Sequence, residues 1–344
     1  MSFLERKSIW LFRLSSNLLL GIALFFPLKL LGEEQAAPQA EQPVPRTEQS
    51  DRFDSMEAPR DYLSGKIVSL ANYLDRFFGG NRHYQESNES VVQLDLTRVA
   101  GYGGDRKFNL AARANLRLPA TEGRLHLLLE TDPEQNTTEP TQDQTILNNK
   151  TVTPGSQVAS SGSVALAARY ETPADNVWHF STDGGLKFPI PVKPFVRSRG
   201  SFSAPMGAWR LKAAESVYWF NTLGVGETTQ LDLERFISEP ILFRATSVAT
   251  WLNDKQNFDL RQDLSVYHTL NDRTAILYQA SAIGISNPQY QLNEYVVLML
   301  YRYRLHKDWM FLELSPQLHF PKIYNFKSSP ALSMRLEVLF DESK

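Results

Sequence analysis

Apolar and polar residues alternate with a period of two from about Val91 to the end of the sequence, and this feature most constrains the fold. The run FNLAARANLRL sets its leucines and alanines against Arg113 and Arg117. The final run, SMRLEVLF, sets its apolar residues against Arg335 and Glu337 in the same way. Because successive side chains of a strand point to opposite faces, the pattern predicts an all-β chain of two-faced strands.

The length of these strands is informative. Turn-forming residues divide the region into about fourteen strands of roughly ten to thirteen residues, with twelve as the alternative count. Strands in soluble sheets average about five or six residues, whereas tilted membrane-spanning strands need about nine to eleven. The lengths favour a transmembrane antiparallel β-barrel over 89–344, with one long polar loop from Asp132 to Ser160. A soluble sandwich, in which the apolar side forms a core, is the competing interpretation.

In a membrane barrel the apolar side of each strand meets lipid and the charged side lines the lumen, where acids and bases of neighbouring strands can pair. The predicted lumen-facing residues are Arg113, Arg117, Glu130, Arg169, Glu171, Arg197, Arg199, Asp259, Arg261, Asp263, Arg302, Arg304, Glu313, Arg335 and Glu337. Arginines outnumber acids in this set, which weakly favours anionic solutes if the lumen is open.

Aromatic residues gather towards the ends of the predicted strands. They are Trp178, Phe180, Trp209, Tyr218, Trp219, Phe220, Trp251, Tyr267, Tyr301, Tyr303, Trp309 and Phe340. Membrane barrels carry aromatic girdles at both interfaces, so this distribution favours the membrane interpretation. Large aromatics also cap the cores of soluble sandwiches, which leaves the alternative open.

Three segments precede the strands. Basic residues followed by the apolar run LLLGIALFFPLKLLG predict a signal peptide over 1–32, with an uncleaved anchor as the alternative. Residues 33–58 are rich in Glu, Gln, Pro and Ala, which predicts a disordered periplasmic linker. Residues 59–80 carry apolar side chains at helical spacing and end in a glycine pair, which predicts one amphipathic helix in the periplasm. Its apolar stripe could occupy the periplasmic mouth of the barrel, or contact a membrane surface or another protein.

Together, the signal-like N-terminus, the alternating strands and the closing strand that ends in Phe340 resemble Gram-negative outer-membrane β-barrel proteins. The resemblance implies contact with outer-membrane lipid and recognition of the last strand by the barrel assembly machinery. Four polar residues follow Phe340, which departs from the usual terminal aromatic. The resemblance is architectural, and no active-site residue can be transferred from it.

Motifs for cofactors, metals and nucleic acid are missing from the sequence. The chain has no cysteine, and its formal net charge of -2 provides no basic face for nucleic acid. The histidines lack metal-binding spacing, so neither a metal nor a cofactor is predicted. The run SVYHTLND lacks the serine that follows histidine in the H-x-S-N-G motif of outer-membrane phospholipase A, and its Ser265 and His268 have opposite parity.

The sequence therefore predicts an integral outer-membrane barrel with a pore, transport or envelope-structural role and no catalysis. One alternative is an outer-membrane hydrolase that uses rim residues such as His179 and Asp183, and another is a soluble periplasmic all-β binding protein. The solute, the oligomeric state and the choice between an open and a plugged lumen stay undetermined. For a barrel, Leu336→Arg should impair assembly, whereas Arg335→Leu should alter only pairing within the lumen.

Overall fold

The chain forms a closed β-barrel. The computed structural model describes residues 70, 73–74, 77–78, 90–102, 104–118, 124–138, 163–172, 177–188, 190–287, 289–307 and 309–341. Within these residues, fourteen antiparallel strands close into one barrel through pairing of the first strand with the last. The predicted fold class and the count of fourteen are confirmed, and the alternative count of twelve is wrong.

The strands range from 7 to 16 residues in length. They are β1 Val91–Gly101, β2 Gly104–Arg117, β3 Leu125–Thr131, β4 Val164–Glu171, β5 Trp178–Lys187, β6 Lys193–Met206, β7 Trp209–Phe220, β8 Gly224–Ser238, β9 Ile241–Leu252, β10 Asn257–Asn271, β11 Thr274–Ile285, β12 Gln291–His306, β13 Met310–Pro321 and β14 Ser329–Asp341. A short helix, α1 (Pro133–Thr138), follows β3, and a 3-10 turn (Lys322–Tyr324) joins β13 to β14.

The barrel has two distinguishable ends. Val91 at the start of β1 lies opposite Asp341 at the end of β14, so the first strand begins and the last strand finishes at the same end. We call this the terminal end and the other the opposite end. The predicted long loop leaves β3 at the opposite end through α1, and residues 139–162 lie outside the described part of the chain.

Burial alternates along the strands as a two-faced wall requires. In β1, Asp95 and Thr97 are buried, whereas Leu94 and Leu96 are 37% and 41% exposed. In a closed wall one residue thick, the buried side chains must point into the barrel and the exposed ones outwards. The wall is therefore apolar outside and largely polar inside, as in membrane-spanning barrels, and a two-layer sandwich is excluded.

Two apolar clusters interrupt the polar interior. The first, at the terminal end of β9 to β14, includes Leu242, Leu277, Leu300 and Phe311. The second, at the opposite end of β3 to β9, comprises Leu128, Ala165, Ala167, Phe195, Tyr218, Phe220 and Leu252. Three aromatics predicted to join the outer girdles, Tyr218, Phe220 and Tyr267, belong to these clusters instead, because they share the inward parity of their strands.

The segments before the barrel are described only in part. The predicted signal peptide at 1–32 and linker at 33–58 lie outside the described residues. Within the predicted helix at 59–80, five described residues are helical: Leu70, Tyr73, Leu74, Phe77 and Phe78. We call these five residues the helical segment. No helix among the described residues is long and apolar enough to cross a bilayer.

Candidate functional site: the polar interior of the barrel

Strand register places an arginine, a carboxylate and a second arginine side by side on β12, β13 and β14. Arg302 lies opposite Glu313, and Glu313 lies opposite Arg335. Nε and Nη2 of Arg335 each donate to Glu313 at 2.6 Å. Arg302 pairs with Glu313 and also with Glu337, two residues further along β14. These four side chains are 0–3% exposed, so their charges are neutralised within the protein rather than by water.

A second triplet of the same kind occupies β4, β5 and β6. Asp183 lies opposite both Arg169 and Arg197 in the register. Arg169 donates to the two oxygens of Asp183 at 2.7 and 3.0 Å. Arg197 also reaches Glu130 on β3, at 2.6 and 3.1 Å, and donates to the Thr137 hydroxyl of α1 at 3.0 Å. The network therefore connects four strands and fixes α1 to the barrel wall.

The third triplet lies on β7, β8 and β9, nearer the terminal end. Glu234 is the register partner of Arg210 and of Arg244. Nε of Arg210 donates to one oxygen of Glu234 at 2.6 Å, and Nε of Arg244 donates to the other at 2.7 Å. Arg244 also donates to the hydroxyl of Tyr267 on β10 at 3.2 Å. Planar guanidinium groups suit this arrangement, because one arginine can satisfy two carboxylate oxygens or two partners.

Imidazole–carboxylate contacts lie near both ends of the interior. At the terminal end, Glu171 lies between two histidines: one oxygen is 3.2 Å from His126 Nε2 and the other is 2.6 Å from His179 Nε2. His126 Nδ1 is 2.8 Å from the side-chain oxygen of Asn115. The predicted rim pair is therefore not assembled, because His179 contacts Glu171 while Asp183 is held in the second triplet.

At the opposite end, His319 on β13 lies 2.7 Å from Glu294 through Nδ1 and 3.0 Å from Gln317 through Nε2. The ring of Tyr102, in the turn between β1 and β2, packs against His319 at 5.0 Å. Burial, reinforced by the charge of Glu294, raises the pKa of Tyr102 to about 12. The phenol therefore stays neutral at physiological pH.

The remaining predicted lumen-facing residues have varied surroundings. Arg113 is buried and lies opposite Glu130 in the strand register, whereas Arg117 is exposed at the end of β2. Two half-buried arginines donate to neighbours on the inner face: Arg199 to Ser216 at 3.2 Å, and Arg261 to the buried Asp263 at 2.7 Å. Asp259 is half-buried and 3.9 Å from Lys255. Half-buried Arg304 lies against the ring of Phe77 at 5.5 Å.

Several interior charges were missing from the predicted set. They are Asp95, Glu134, Asp183, Lys187, Arg210 and Glu294. Strand parity also places Asp232, Glu234 and Arg244 on the charged side of their strands, whereas the pairing of Lys187 with Glu134 of α1 depends on the fold. Among the described residues, eleven carboxylates and eight arginine or lysine side chains are buried, so the inner face carries no excess of positive charge. The expected preference for anions has no support in this balance.

The structure does not bring Ser265 and His268 together. Ser265 donates its hydroxyl to Gln279 at 3.0 Å, and His268 has the opposite parity on the same strand. No cluster of three or more His, Asp or Glu residues in the described ranges is arranged to hold a metal ion. The described interior combines ion-pair and hydrogen-bond networks with the two apolar clusters.

Comparisons with known proteins find a similarity of fold and no similarity of sequence family. No protein-family model matches the sequence, and no curated protein matches it. Among solved structures, OprB of Pseudomonas putida is 11% identical, with 76% of this chain and 97% of that chain covered and a TM-score of 0.45. The outer membrane channel DcaP of Acinetobacter baumannii is 10% identical over 73% and 96% of the two chains, with a TM-score of 0.39. OmpT of Vibrio cholerae is 12% identical over 73% and 97%, with a TM-score of 0.40.

These similarities are too low to transfer a function. The class of the molecule follows from its own geometry, which is a closed antiparallel barrel with an apolar outer face and a charged inner face. The predicted architectural resemblance to Gram-negative outer-membrane β-barrel proteins is confirmed.

Proposed function

We propose that the chain is an outer-membrane channel for small polar solutes and that the described conformation is its closed state. The observation that carries this proposal is the inverted distribution of polarity. Charged triplets lie inside a closed fourteen-strand wall, while leucine, valine and aromatic side chains cover its outside. Lipid stabilises such an outer face, whereas water would not. The terminal end then faces the periplasm.

A polar path along β13 supports a transport role. Starting at the opposite end, His319 contacts Gln317, and Gln317 donates to the Ser315 hydroxyl at 3.3 Å. The next inward residue along the strand is Glu313 of the first triplet. These side chains offer donors and acceptors from the end of the wall to its middle, as a passage for a hydrated solute requires.

Charge balance indicates the class of solute. Each triplet arginine is already paired with a carboxylate, and buried acids are at least as numerous as buried bases. A path lined by compensated charges presents no strong field of either sign, so we expect weak ion selectivity rather than an anion preference.

An envelope-structural barrel is the second candidate, because the same networks could simply brace the wall. Planar-bilayer recording on the purified, refolded full chain separates the two. A channel should give unitary currents of low open probability, with a reversal potential near zero in a salt gradient. A preparation shown to be inserted by heat-modifiable gel mobility, yet silent at every potential, would contradict the channel proposal. Heat-denatured protein is the matched control.

A further inference from the structure

We propose that the helical segment docks inside the barrel and closes the terminal end of the passage. This inference rests on the proposed channel function. Leu74 and Phe78 are 0% exposed and Phe77 is 3% exposed, whereas Tyr73 on the same helix is 37% exposed. Leu74, Phe77 and Phe78 therefore form a covered stripe. Tyr73, one turn before Phe77 and stacked on its ring with centroids 5.8 Å apart, lies at the exposed edge of that stripe.

The covered residues contact the inner wall on separate strands. Phe77 meets Phe311 of β13 edge-to-face, with ring centroids 5.8 Å apart. Phe78 meets Tyr267 of β10 in the same manner at 5.3 Å. Phe77 and Phe78 thus contact β13 and β10, and β11 and β12 lie between these two strands in the barrel. The segment therefore lies across the inner surface of four strands.

The receiving surface is the apolar cluster of the terminal end. Its wall residues are Leu242, Tyr267, Ala275, Leu277, Leu298, Leu300, Phe311 and Leu339. An inner wall patch of this composition would be unfavourable in a water-filled lumen, because its leucines would be hydrated. The apolar stripe of the helical segment removes the patch from water, which accounts for leucines on an otherwise polar face.

Docking is linked to two of the triplets. The Arg302 guanidinium lies 4.0 Å from the Phe311 ring and 5.9 Å from the Phe77 ring while it pairs with Glu313 and Glu337. On the other side, the Arg244 guanidinium lies 5.0 Å from the ring of Tyr267, which receives Phe78. The ion pairs hold both receiving rings in place, so the docking surface is preorganised.

Docking can be tested without measuring any current, because the chain has no cysteine. Leu74→Cys and Tyr73→Cys are matched single variants on neighbouring positions. With a membrane-impermeant maleimide applied to the inserted full chain, Leu74→Cys should react at least about tenfold more slowly, since a buried thiol reacts only when the segment opens. Equal rates would overturn the docking.

Closure is tested by conductance. The double variant Phe77→Ala/Phe78→Ala leaves the wall unchanged and removes both buried rings, so open probability should rise about tenfold or more over the native chain. Tyr73→Ala removes a ring that is 37% exposed at the edge of the stripe, where it stacks on Phe77, and should raise the open probability far less than the double variant does. Insertion of each variant is checked by heat-modifiable mobility.

Three outcomes separate this inference from the channel proposal. A rise in open probability that is much larger in the double variant than in Tyr73→Ala supports closure by the segment. Equal currents from the native chain and the double variant overturn closure while the channel function stands. Protected Leu74→Cys combined with silence in every inserted variant overturns the channel function and supports the docking.

Discussion

The substitution Arg335→Leu gives the sharpest energetic test of the inner networks. Arg335 donates to both oxygens of Glu313 at 2.6 Å and approaches Glu337 at 3.4 Å, and all three side chains are almost fully buried. Removing it leaves two carboxylates that share one arginine, Arg302. Breaking a buried ion pair from one side costs about 3–5 kcal/mol, because an uncompensated charge remains. The sequence predicted a change of pairing only, and the fold makes the loss much larger.

A second substitution distinguishes lost pairing from lost packing. In Arg335→Leu/Glu313→Leu, the pair of Arg302 with Glu337 survives and two adjacent leucines face each other across β13 and β14. Replacing both members of a buried pair by apolar residues is often nearly neutral. The double variant should therefore recover most of the loss, about 2–4 kcal/mol of the unfolding free energy.

The assay is urea unfolding in lipid vesicles, followed by tryptophan fluorescence. Unfolding free energies are compared between variants whose dependence on urea concentration has the same slope. We expect the double variant to be more stable than Arg335→Leu alone. Two results would contradict this expectation. In one, the losses of unfolding free energy measured for Arg335→Leu and Glu313→Leu singly simply add in the double variant; in the other, Arg335→Leu changes the unfolding free energy by less than about 1 kcal/mol.

Two further predictions concern the wall itself. Leu336→Arg places a charge on the outer face near mid-strand and should cost about 2–4 kcal/mol, with a loss of the heat-modifiable band; native-like assembly would contradict a lipid-facing position. Gly185→Ala should cost about 1–3 kcal/mol in the same urea assay, because its Cβ would lie 2.5 Å from that of Ala167 and 2.7 Å from the Leu166 carbonyl oxygen. The neighbouring Gly184→Ala meets nothing within 4 Å and should be nearly neutral, and an equal loss in both variants would contradict this account.

The strand architecture could be predicted because it depends on local pattern. Runs such as SMRLEVLF specify two faces by parity alone, and strand length then separates membrane strands from soluble ones. The same parity places Arg302, Glu313 and Arg335 together on one face of neighbouring strands. Fold class and most of the inner charges therefore follow from sequence.

Partners across several strands could not be predicted, because they depend on register and barrel curvature. Arg197 reaches Glu130 two strands beyond its neighbour, and Lys187 meets Glu134 of a helix that the sequence pattern did not indicate. Aromatic residues were ambiguous for a related reason: Tyr267 fits an outer girdle by its position near a strand end, yet its parity directs it to the inner cluster that receives Phe78.

The central claim is that the apolar face of this barrel meets lipid, and membrane fractionation tests it most directly. The full chain, expressed with its own N-terminus, is separated into soluble and membrane fractions, and the membranes are extracted with and without detergent. We expect the protein to leave the membrane only in detergent and to migrate faster on gels before heating than after. A chain that stays soluble without detergent would contradict the account.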